Sequence, residues 1–65
     1  MHEKERHRII QSAVQEKPVV TVQELVDLTD SSEATIRRDI AALHVQKKLR
    51  RVRGGAEAIN PPQFV

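Results

Sequence analysis

The 65-residue sequence contains no cysteine, tryptophan or tyrosine, and its one phenylalanine, Phe64, is the penultimate residue. Without cysteine there can be no disulfide and no thiolate metal site, which agrees with a reducing cytoplasm. Any core must be assembled from Ile, Leu, Val and Ala, and one domain of this length is near the minimum that holds without a staple. No apolar run approaches the ~20 residues that cross a bilayer. No segment has the charged start and apolar middle of a signal peptide. Glycine is scarce too, and the only two are adjacent, Gly54 and Gly55. Internal repeats and low-complexity tracts are absent.

The charge that is present is unevenly placed. The net charge is only +2, yet residues 1–30 carry four Lys or Arg against six acids, whereas residues 31–65 carry seven against three. A polyanion would approach the second half, and nucleic acid is the commonest polyanion for a domain with this asymmetry.

The pattern of apolar residues predicts a sequence of short elements. Ile9, Ile10, Ala13 and Val14 gather on one side of a helix over residues 3–16, which ends near Lys17 because Pro18 disfavours helical geometry before it. His2 and His7 resemble a metal-binding pair but are five apart, so they point about 140° away from one another and cannot chelate together. Val19 and Val20 make a short β-prone step. Thr21-Val22-Gln23-Glu24 then has the form of a capping box, with Val20 placed to staple against Leu25. Val22, Leu25, Val26 and Leu28 supply the apolar side of this second helix, which should stop by Thr29-Asp30-Ser31.

Ser32 caps a third helix that carries Glu33 in its first turn. Ile36, Ile40 and Leu43 line its buried side. Ala34, Arg38 and Ala41 lie opposite, with Thr35 and Arg37 at the flanks. The helix is expected to run through His44 to Lys47 or Lys48. Beyond it, Leu49–Arg53 and Ala56–Ile59 flank Gly54-Gly55 and read as a hairpin with both glycines in the turn. Such a hairpin is marginal alone, so Val19-Val20 is expected to complete it as a third strand. Helix, strand, helix, helix and hairpin describe a mainly α fold with a small β-hairpin wing, the winged helix-turn-helix, over residues 1–59. Asn60-Pro61-Pro62 opens a linker over 60–65.

A helix face of small residues and arginines suits the DNA major groove, where arginine can bond guanine O6 and N7 together. Ser32, Glu33, Thr35, Arg37 and Arg38 are therefore the candidates at the groove. One of the two arginines is expected to read a guanine and the other to hold a phosphate, and spacing alone does not assign which. Arg51, Arg53, Gly54 and Gly55 are the candidates for wing contacts with phosphates or a minor groove. Asp39 either orients a neighbouring arginine or forms a structural ion pair away from DNA. Thr21 and Glu24 are assigned to capping, His7 and His44 to the surface or its edge. An ordinary solvated face and a protein-docking module for an acidic partner are the competing readings. No catalytic triad, paired carboxylate site or phosphate-cradling loop argues for an enzyme, and no residue set calls for a cofactor.

The run Ser32-Glu33-Ala34-Thr35-Ile36-Arg37-Arg38-Asp39-Ile40, with Leu43 and then Leu49-Arg50-Arg51-Val52-Arg53-Gly54-Gly55-Ala56, resembles the N-terminal DNA-binding domain of the DeoR family of bacterial transcriptional repressors. Arg6 to Ile10 and Val20 to Leu25 fit the same pattern. The resemblance implies a cytoplasmic regulator of carbohydrate catabolism that binds a double-stranded operator, with a phosphorylated-sugar effector bound by a larger C-terminal domain absent from this chain. It also implies pairing on repeated half-sites. Three features depart from the family. Thr29, Asp30 and Ser31 are polar where hydrophobic, small and hydrophobic residues are usual, and Arg53 stands where histidine is frequent. Lys47 falls near a frequent glycine, where left-handed geometry would cost a lysine about 1 kcal/mol, so the helix is expected to run on or close differently.

Overall fold

The computed structural model describes residues 2–59, so the linker expected at 60–65, with Asn60, Pro61 and Pro62, lies outside the described residues. Three helices and three short strands follow in the order α1 Glu3–Glu16, β1 Val19–Thr21, α2 Val22–Thr29, α3 Glu33–Val45, β2 Arg50–Val52 and β3 Gly55–Glu57. Ile10 and Val14 of α1 meet Val20, Val22, Leu25, Ile36, Ile40, Leu43, Leu49 and Ala56 in one core. That core is purely aliphatic, as the composition requires. Tight burial of these side chains is what offsets the chain entropy of so small a domain.

The strands form one antiparallel sheet in the order β1-β3-β2, so the Val19-Val20 step does complete the hairpin. Its register sets Val20 against Ala56 and Val52 against Gly55. The turn therefore consists of Arg53 and Gly54, not of the two glycines. Gly54 takes the left-handed φ of +77° that the turn needs, whereas Gly55 is buried in the central strand. A Cβ on Gly55 would fall 2.1 Å from the Val20 carbonyl oxygen, so glycine is required there for close strand approach. The Val22 amide donates to the Gly54 carbonyl at 2.9 Å, which ties the head of α2 to the hairpin turn.

The capping box at Thr21 forms as the sequence predicts. Thr21 Oγ1 accepts from the Glu24 amide at 3.1 Å and Glu24 Oε1 accepts from the Thr21 amide at 2.9 Å. Lys17 also pairs with Glu24, and this partner, with the Thr21 amide, holds the Glu24 carboxyl below its ordinary range. Val20 and Leu25 are both in the core. Leu28 is not, contrary to expectation, and stands 57% exposed. The polar segment after it closes without apolar side chains. Buried Thr29 donates its hydroxyl to the Leu25 carbonyl at 2.7 Å, and Asp30 adopts a left-handed φ of 55° with its amide on Val26.

The third helix is shorter than the sequence predicts. It ends at Val45, and Lys47 takes the left-handed φ of 64°. The Lys47 amide donates to His44 and the Lys48 amide to Leu43, both at 2.9 Å. These two bonds make a Schellman closure. Satisfying two terminal carbonyls outweighs the ~1 kcal/mol of strain at a non-glycine residue.

Candidate nucleic-acid interface

The short link between α2 and α3 fixes the entry of α3. Ser32 caps the helix by accepting from the Thr35 amide at 3.1 Å, and its own hydroxyl donates to Thr35 Oγ1 at 2.9 Å. This pair of hydroxyls sits at the helix entrance, with Thr35 still partly exposed. The first-turn amides of Glu33 and Ala34 have no helical acceptor, as at any helix start, and the dipole there favours an anion.

One face of α3 is fixed to the body and the other is open. Ile36, Asp39, Ile40 and Leu43 are buried. Glu33, Ala34, Arg37 and Arg38 are exposed, Thr35 partly so. Arg37 and Ile40 of α3 line a cleft of about 210 Å³ together with Val22, Arg51, Val52, Gly54 and Gly55. Thus an arginine from the helix and one from the hairpin line the same opening, together with both glycines. Arg38 lies on the outer face of α3 and Arg53 at the exposed turn. Neither they nor Arg51 pair with a carboxylate among the described residues. Arg37 shares an exposed i,i+4 pair with Glu33 at 3.1 Å, weak enough in water to yield to a phosphate or a base. Arg50 faces Glu57 across the sheet at 3.5 Å.

His44 secures the arm to the helix. Its Nδ1 accepts from the Arg51 amide at 3.2 Å, which requires the neutral ring with its proton on Nε2. The Arg51 backbone is thereby held while its side chain stays free to reach outward.

Asp39 is the residue whose role the structure decides. It is 1% exposed, and its carboxylate faces α1, not the arginines of its own helix. Arg6 Nε donates to Oδ2 at 2.6 Å and a second guanidinium nitrogen to Oδ1 at 3.2 Å, while His7 Nε2 donates to Oδ1 at 3.1 Å. The carboxylate in turn raises the affinity of Arg6 for its proton. This is a structural ion pair, so the alternative in which Asp39 orients a neighbouring arginine is set aside. His7, partly buried at the edge of the core, belongs to this network. The signal was present in the spacing, since Asp39 is three residues from Ile36 and so falls on the buried stripe, where a carboxylate needs a partner. Glu3, His7 and Asp39 offer donor atoms within 4.8 Å of one another. Both oxygens of Asp39 are already occupied by Arg6, however, and a cation would have to sit against that guanidinium.

Comparison with known proteins agrees with this geometry. Residues 6–62 match the DeoR-like helix-turn-helix domain. The chain belongs to that family. It is thus a DNA-binding helix-turn-helix domain of the kind carried by transcriptional regulators. It is 45% identical over 56 residues to a protein named uncharacterized HTH-type transcriptional regulator FruR from Bacillus subtilis (strain 168), covering 86% of this chain and 22% of that protein. It is 44% identical over 59 residues to the HTH-type transcriptional regulator UlaR of Shigella sonnei (strain Ss046), covering 91% of this chain and 24% of that one. This DeoR-like chain therefore spans less than a quarter of the length of either relative. No solved structure matches it significantly. No helix among the described residues is long and apolar enough to cross a membrane.

Proposed function

We propose that residues 2–59 read a double-stranded operator, with α3 in the major groove and the hairpin on the backbone or in the adjoining minor groove, as part of a bacterial cytoplasmic repressor of carbohydrate catabolism. In this reading Thr35, Arg37 and Arg38 make the main contacts from the helix, with Ser32 and Glu33 at its entrance. Arg51, Arg53, Gly54 and Gly55 serve the arm. The cleft shared by Arg37 and Arg51 carries the proposal, because it joins the two basic elements at a single opening. Residues 60–65 lead to a C-terminal domain that takes a phosphorylated sugar and sets assembly on repeated half-sites. No catalytic step is assigned to this segment.

Selection of bound sequences from a random duplex pool, followed by titration over a salt series, tests the reading. A defined consensus is expected, with log K falling against log salt at a slope of about −4 to −5 if about four to six phosphates are neutralised. A salt-independent affinity, or no enriched sequence, would defeat it. Retention of an acidic protein at the expense of duplex DNA would favour the docking module instead.

A further inference from the structure

The strongest feature outside the basic face is the groove between α1 and α2, where Leu28 stands exposed. Leu28 shares with Ile9 and Ala13 a depression of about 320 Å³ whose other walls are Arg8, Ser12 and Glu16. Ile9 and Ala13 are themselves only partly buried. The depression continues on the far side of Leu28 toward Val20 and Asp27. No residue of α3 or of the hairpin lines it, so an occupant would leave Arg37 and Arg51 uncovered.

The charges around this apolar strip have a definite order. Arg8 and Glu16 lie four residues on either side of Ser12, about 12 Å apart along the helix. Neither is engaged in an ion pair among the described residues. A second α1 laid antiparallel across the first, with a two-fold axis at Ser12, brings Arg8 of each copy opposite Glu16 of the other. Small side chains at Ser12 and Ala13 allow the helices to approach closely at the crossing. The same operation lays the strip of Ile9, Ala13 and Leu28 of one copy along that of the other, with Ile9 of each nearest the level of its partner's Ala13. A surface that is its own electrostatic complement under a two-fold operation is what an isologous contact requires.

We propose that this α1–α2 face is a self-association surface, taking a second copy of the chain through Ile9, Ala13 and Leu28 with reciprocal Arg8–Glu16 pairs. The apolar area is small, so the association is weak and becomes effective when two copies are already held near one another.

The test is sedimentation equilibrium of the 65-residue chain without DNA, from micromolar to millimolar concentration, with circular dichroism confirming that each variant is folded. The wild type is expected to show a concentration-dependent dimer. Arg8→Glu and Glu16→Arg should each weaken it about tenfold by setting like charges opposite one another, and the combined variant should return to the wild-type constant. Leu28→Gln should abolish it without loss of fold. A chain that stays monomeric at millimolar concentration overturns the proposal, as does a dimer indifferent to these substitutions. Because DNA is absent, either result leaves the operator reading to its own test.

Discussion

Arg38 and Asp39 are neighbours in sequence, charged, and on one helix, yet one is exposed and the other buried to 1% exposure. A rotation of about 100° per residue separates them. On the inner side the charge is consumed by Arg6 and His7 and holds α1 against α3. On the outer side the guanidinium of Arg38 is left to the solvent, and that of Arg37 is held only by an exposed pair. Residue type does not distinguish a structural charge from a binding one here; the partner does. A buried carboxylate with two donors contributes to the fold, whereas an arginine that costs little to release is available to a partner.

That contrast makes opposite predictions for substitutions a few positions apart. Asp39→Asn keeps the shape but removes the charge facing Arg6 and His7, and should destabilise the domain by about 2 to 4 kcal/mol in urea unfolding; an unchanged midpoint would break the comparison at its inner half. Arg37→Ala should leave that midpoint alone and weaken operator binding by about 1 to 3 kcal/mol. Equal weakening on random duplex would assign Arg37 to a phosphate and give the base contact to Arg38. Lys47→Gly relieves the left-handed strain and should raise stability by about 0.5 to 1 kcal/mol, with the outer face untouched. The smallest effect belongs to Glu24. Its folded carboxyl titrates below the ordinary value of 4.5, so its support for α2 is complete above that value and is lost as pH falls through the lowered one. Acid unfolding of Glu24→Gln should accordingly start from a slightly lower plateau and show a shallower pH dependence there.

Local chemistry was easy to read from the chain. The Thr21 capping box, the proline stop before β1, the Ser32 cap and the exposed arginines follow from rules acting over a few residues, and the third strand from the need of a marginal hairpin for a partner. Contacts between distant segments were harder. Asp39 meets residues 32 and 33 positions earlier, and only its place on the Ile36–Leu43 stripe hinted that a partner must exist. Gly55 looked like half of a turn because the alternative, a backbone oxygen of β1 pressed against it, depends on register. Lys47 was misplaced for a different reason, since an intrinsic penalty of about 1 kcal/mol was outweighed by two terminal hydrogen bonds that a propensity argument does not see. Leu28 was placed on the apolar side, yet the buried arc of α2 is that of Val22, Leu25 and Thr29, and Leu28 falls about 60° beyond Leu25 and outside it.

The hydrogen bond from the Val22 amide to the Gly54 carbonyl gives the arm a fixed hinge pin. Since Val22 begins the helix that precedes α3, the tip of the arm and the helix beside it behave as the two jaws of a caliper locked at one opening. In the proposed operator reading, a duplex whose grooves suit that gauge would be gripped at both jaws at once and one that does not would have to be deformed, so that groove width would be measured along with the bases.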